Sequence, residues 1–291
     1  MMRVRSVEWH AANGDVIRFS EDKPFMLARF FTGTPSGAAE VVRGIRTDGQ
    51  TTYHVTAEAL TPSLSGSLHA GGKGYYETQR YFDKLTERLQ AALDPKLFGV
   101  LIYHKFSGSF RLPCRPVAGA SFGERIGGSA DFDIDWVSDV PRWTAAKAEA
   151  LSVGVVRPMW RFPWAIAPTV FGSITSEGVI NNPTHIEIYP LIIIGNTVSG
   201  NIQFGNRTTG AVSTLEHSIA RGDVLEIDMS VPSVTLISAG GEAADVTHWL
   251  TVDSVFPWSI MPGENVIYSA VDDPELSPII TLKWYLPEGG I

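Results

Sequence analysis

Short segments that alternate apolar and polar residues, each cut off by a turn signal, recur along the chain and confine it to β-rich folds. VEWH and DVIRF flank Asn13-Gly14, and VVRGIRT and TTYHVTAEA flank Asp48-Gly49. Both dipeptides suit the left-handed backbone of a tight two-residue turn, so each pair of segments reads as a hairpin. In the second, Tyr53, Val55, Ala57 and Ala59 alternate with Thr52, His54, Thr56 and Glu58, which is the period of a half-buried strand. Further strands are expected over 97–104, 109–117 and 129–137.

One segment breaks this period. From about Tyr75 to Leu93, Thr78, Phe82, Leu85, Leu89 and Ala92 fall on one stripe at helical spacing, while Glu77, Arg80, Lys84, Glu87 and Arg88 cover the other side. Asp94-Pro95 ends the helix, because the residue before a proline is pushed out of the helical region. From Pro141 to Asn182 the pattern weakens into a stretch with four prolines and three tryptophans. It reads as an interdomain crossing, with a short helix over TAAKAEAL. Beyond it HIEIYPLIII, GNIQF, DVLEIDM, SVTLI, VIYSAV and PIITLKWYL are short strands at close spacing, the signature of a sandwich or barrel.

At 291 residues, with 44% apolar and 19% charged side chains, the chain can bury one large or two ordinary cores. Its 31 acidic and 23 basic residues leave a net charge of −8, which disfavours tight binding to nucleic acid. Cys114 is the only cysteine, so an internal disulfide and any zinc site needing two thiolates are excluded. The N-terminus has no apolar secretory core, and LFGVLIY and YPLIIIG, the longest apolar runs, have strand length. No membrane insertion is expected, and folding is expected in a cytoplasm.

The second half carries the most specific pattern: YPLIIIGN, NIQFGNRTTG, IARGDVLEIDM, SVFPWSIMPGENVIY and ITLKWYL, in that order. It resembles the C-terminal domain of siphovirus distal tail (Dit) proteins, in which a proline-led strand, an N-x-T-T-G turn, a G-D-x-L-x-I-D strand and a P-G-x-N hairpin follow one another. The first half resembles the same family through the helix ending TERLQAALDP, then DFDIDW, PRWT and RFPW. The resemblance implies a mainly β protein with an N-terminal ring-forming domain carrying one helix (1–150), a crossing (151–180) and a C-terminal galectin-like β-sandwich (181–291). It also implies a non-enzymatic part without cofactor, a homohexameric ring at the virion tail tip, assembled in the host bacterial cytoplasm. The implied partners are the tail tube protein, a fibre or lysin hub protein and a receptor-binding protein, around a channel for DNA. Thr209, Gly210, Gly222, Asp223, Pro262, Gly263 and Asn265 are the motif residues, all of them turn and strand residues.

Other motifs are weighed against plain structure. GASFG, 119–123, matches the serine nucleophile elbow, but a Gly-Gly turn and a strand follow Ser121 where a helix is required. AGGKG, 70–74, lacks the first glycine and the hydroxyl residue of a phosphate loop. Asp131, Asp133 and Asp135 share one face of a strand; the residue after the third is Trp136, not the glycine of a calcium loop, so a solvated acidic face is expected and no metal. In the ring this face is expected to line or approach the lumen, where carboxylates repel passing phosphates. The histidines show no ligand spacing, and Arg221-Gly222-Asp223 reads as a turn. Trp249, Trp258 and Trp284 are expected in the core, though exposed they would stack on sugar rings. That leaves a carbohydrate-binding sandwich recognising host-wall glycans as the alternative function.

Overall fold

The computed structural model describes residues 6–34, 37–42, 51–72, 74–153, 176–195, 200–271 and 279–288. The chain divides into two compact units, Met1–Lys147 and Ala148–Gly289.

The first unit contains β1 (Ser6–Ala11), β2 (Val16–Ser20), β3 (Phe25–Phe31), β4 (Gly37–Val42), β5 (Thr51–Ala57), β6 (Ser63–His69), α1 (Tyr75–Ala92), β7 (Gly99–Lys105), β8 (Gly108–Pro116), β9 (Ser121–Phe122), β10 (Ser129–Val137) and β11 (Thr144–Ala145). Asn13-Gly14 closes the β1–β2 hairpin, with Gly14 at φ 90°. β4 and β5 pair antiparallel as a separate two-stranded sheet, while the expected Asp48-Gly49 turn between them lies outside the described residues.

Strands β8, β7, β1, β2, β3, β6 and β10 neighbour one another in that order, and β10 returns to β8 through Trp136↔Pro116 and Val137↔Arg115. The seven-stranded sheet therefore closes into a barrel. β9 and β11 add short flaps to β10 and β8. Alternation along each strand sends Trp9, Phe19, Leu64, Leu101, Tyr103, Phe132 and Trp136 inward, so aromatic side chains fill the interior. The stripe of α1, Phe82, Leu85, Leu89 and Ala92, packs on the same core. Burial of each Phe or Leu there contributes about 1.5–3 kcal/mol. The indole of Trp9 donates to the Ala92 carbonyl at 2.7 Å, which ties the last turn of the helix to the barrel.

The second unit contains β12 (Glu149–Val153), β13 (Ser176–Asn182), β14 (Leu191–Gly195), β15 (Ile202–Asn206), β16 (Ala211–Leu215), β17 (Val224–Asp228), β18 (Ser233–Ile237), β19 (Ala243–Asp245), β20 (Gly263–Val271) and β21 (Ile279–Trp284). One sheet runs β12-β21-β14-β17-β18-β19 and the other β13-β20-β15-β16. Ile192, Ile194, Leu225, Ile227 and Leu282 from the first sheet share one core with Ile180, Phe204, Leu215 and Ile267 from the second, which makes the unit a sandwich. The mainly β architecture, with one long helix among the described residues, is the one expected.

One expectation fails. The helix predicted over TAAKAEAL is absent: β11 and β12 occupy that stretch, and β12 pairs with β21 from Glu149↔Trp284 to Val153↔Ile280. Hydrogen bonds from a partner strand outweigh the helix propensity of the alanines. Most of the expected crossing, 154–175, lies outside the described residues, and its described flanks, β12 and β13, are strands of the second unit.

Candidate functional site

The outer wall formed by β3, β6 and β10 is the most sharply patterned surface of the first unit. Along β10, Phe132, Ile134 and Trp136 are buried while Asp131, Asp133 and Asp135 are exposed. In register across β6 stand Ser67, Ser65 and Ser63 opposite these three aspartates, and Arg29 and Phe31 of β3 lie opposite Ser65 and Ser63. Because the outward side chains of β6 opposite the aspartates are the short Ser63, Ser65 and Ser67, the wall sinks between longer neighbours, leaving an open groove of about 310 Å³ lined by Arg29, Phe31, Ser63 and Ser65. The three carboxylates form a continuous negative row, an electrostatic and not a catalytic arrangement.

Ser121 sits in β9, paired through Asp133↔Ser121 with β10, and a turn and β10, not a helix, come directly after it. AGGKG leads into α1 with Gly74 at its N-cap in extended backbone; Lys73 lies outside the described residues. Two histidine clusters appear that the sequence did not reveal, since each is completed by a residue distant in the chain, Ser129 in one and His104 in the other. His69 bonds Ser67 at 3.0 Å and Ser129 at 2.7 Å. On the opposite wall Ser109 bonds His104 Nδ1 at 2.7 Å, His104 Nε2 lies 3.7 Å from Glu8, and His10 Nε2 lies 3.1 Å from the other oxygen of Glu8. His104 thus makes cross-strand polar pairs with Ser109 of β8 and Glu8 of β1, each contributing about 0.2–1 kcal/mol, while His10 and Glu8 are neighbours on one face of β1. Among the described residues no three His, Cys, Asp or Glu side chains are grouped to hold a metal ion.

Two of the motif turns of the second unit, the one begun by Asn206 and the one leading to Asn265, meet in space. Asn206 begins the N-x-T-T-G turn, and Thr209 closes it by donating to the Asn206 carbonyl at 3.2 Å. Gly210, Gly222 and Gly263 have φ of 74°, 96° and 89°, the left-handed region that side-chain-bearing residues avoid. Pro262-Gly263 leads into β20, where Asn265 is buried and bonded to Asn206. Asp223, in the Arg221-Gly222-Asp223 turn, accepts the Ala239 N–H at 2.9 Å. Trp258 and Trp284 are buried, whereas Trp249 is only partly so. Among the described residues no helix is long and apolar enough to cross a membrane.

A barrel filled with side chains and a two-sheet sandwich define a two-unit, mainly β scaffold. Solved structures share that build over nearly the whole chain. The SPP1 Dit protein, described as a paradigm of the hub adsorption apparatus of phages infecting Gram-positive bacteria, matches with a TM-score of 0.59 at 11% identity, over 96% of this chain and 98% of that one. Chains of the phage P2 baseplate in its activated conformation, with Sr and with Ca, match with a TM-score of 0.54 at 10% identity, over 97% of this chain and 98% of theirs. No protein-family model and no curated protein matches the sequence. The chain has the fold of phage Dit and baseplate hub chains.

Proposed function

We propose that the protein is a structural component of a phage tail tip: a homohexameric ring at the distal end of a long non-contractile tail. It joins the tail tube protein to a fibre or lysin hub protein and a receptor-binding protein, and leaves a channel for DNA. Assembly takes place in the host bacterial cytoplasm. The observation that carries this reading is the fold shared with Dit and baseplate hub chains across both units, not one of them alone. The role is mechanical; no catalytic residue or cofactor is assigned. The first unit, about 1–150, forms the ring, and the sandwich, about 181–291, is a separate unit of each subunit.

Barrel closure constrains how copies meet. Each of the seven barrel strands already has two neighbours, so hairpin edges of the barrel are not free to pair with another copy, contrary to what the hairpins alone suggest. Contacts run through side-chain faces or through the outer edges of β4, β5, β9 and β11. In this reading the wall of Asp131, Asp133 and Asp135 with Ser63, Ser65 and Ser67 faces the lumen, where carboxylates repel phosphates and serines hold water.

Light scattering on the full chain tests the ring: six copies of 31.7 kDa are expected, and a monomer at micromolar concentration would rule it out. A second reading, recognition of host-wall glycans by the sandwich, is favoured by one observation, the incompletely buried Trp249.

A further inference from the structure

Trp249 ends a short 3-10 turn, Thr247–Trp249, that lies beside the end of β16. The Glu216 N–H donates to the Trp249 carbonyl at 3.1 Å and Leu215 bridges to Leu250, so the two segments are held together. The indole packs against the sandwich core. The imidazole of His217 lies on the indole with ring centroids 3.7 Å apart and planes 24° from parallel. His217 is exposed, and among the described residues its ring nitrogens have no hydrogen-bond or ion-pair partner. Only the stack holds it there.

We infer that Trp249 is a stacking platform for one neutral pyranose ring, closed in this structure by the His217 imidazole acting as a displaceable latch. The C–H face of a pyranose packs on an indole at the distance the imidazole now occupies, and its rim of hydroxyls needs polar groups at the edge of the ring. Those groups are present next to the platform in the chain: the exposed carboxylate of Glu216 and the exposed imidazole of His248, whose ring stands at 77° to the indole, while the half-buried Thr251 hydroxyl is bonded to Ser254 at 3.0 Å. Trp258 and Trp284 offer no such surface, being 4% and 6% exposed. A ligand must displace a stacked ring, so sugar affinity is weak unless the latch is removed. The subsite lies within the second unit and does not depend on ring assembly.

The test titrates the full chain, wild type and His217→Ala, with the methyl glycosides of glucose, galactose and N-acetylglucosamine. Calorimetry gives the affinity, and saturation-transfer NMR with irradiation of aromatic resonances shows which sugar protons touch a ring. The expected result is binding by at least one glycoside that tightens roughly fivefold in His217→Ala, the factor for a stack no longer broken. Transfer should be confined to one sugar face and lost in His217→Ala/Trp249→Leu. Absence of binding to both proteins, or equal affinity in the two, overturns the inference. If the double variant fails to fold, the aromatic transfer in His217→Ala decides: none means that no indole carries the sugar. Light scattering on the same samples reads ring assembly separately.

Discussion

The side-chain amide of Asn206 donates a 2.8 Å hydrogen bond to the amide oxygen of Asn265, and both residues are fully buried. Asn265 also accepts from the Met261 N–H at 2.9 Å and donates to the Met261 and Gly263 carbonyls at 2.7 and 3.0 Å. Asn206 in turn donates to the Ser259 carbonyl at 3.1 Å and accepts from the Thr208 N–H at 3.0 Å. One pair of amides thus satisfies the buried backbone of two turns. Asn265→Ala strands several of these groups and is expected to destabilise the sandwich by about 1–3 kcal/mol in urea unfolding. A loss too small to measure would show that water replaces the amide.

Gly66 is where three strands of the barrel approach too closely for a side chain. A Cβ there would lie 2.5 Å from the Met26 carbonyl oxygen and 2.7 Å from the Phe132 ring. The oxygen belongs to the backbone of β3 and cannot swing away, so Gly66→Ala must push the sheet apart. We expect a loss of about 1–3 kcal/mol, seen as a lower midpoint in thermal unfolding; an unchanged midpoint would mean that the wall yields.

Cys114 is buried in the barrel core, and burial pushes its thiol up from 9.0 to about 12. The folded state therefore keeps its proton while the unfolded chain loses it. Below pH 9 the shift costs nothing, and stability falls as pH rises from about 9 towards 12. Iodoacetamide at pH 8 should leave the native thiol unmodified and label it in denaturant; rapid native labelling would place the thiol at the surface.

The first unit has its own core, so residues 1–147 should assemble as the full chain does. Light scattering on that fragment and on 148–291 assigns the ring contacts. Assembly by the second fragment alone would reverse the roles proposed for the two units.

Replacing Asp131, Asp133 and Asp135 together with lysine should leave folding intact, because all three are exposed. If they face the channel, DNA release from tails carrying this variant slows and becomes salt-dependent, since each new cation holds phosphate by releasing counterions. Unchanged release at every salt concentration would place the face outside the lumen.

What could be read from the chain alone was local. Turn dipeptides and period-2 alternation located β1, β2, β7, β8 and β10, and the stripe of Phe82, Leu85, Leu89 and Ala92 located α1, because backbone φ and side-chain period are properties of neighbouring residues. What the tertiary structure decided depended on partners far along the chain. SLSGSLH, rich in serine and glycine, has little strand propensity, yet β3 and β10 on either side make it β6. TAAKAEAL favours a helix by itself and becomes strand where β21 pairs with it. Closure of the barrel rests on β8 meeting β10. Asn206 finds Asn265 across 59 residues, and His217 finds Trp249 only where β16 and the 3-10 turn come together. Hydrogen bonds and stacks between distant residues leave no period in the sequence; they exist only once burial has brought the strands side by side.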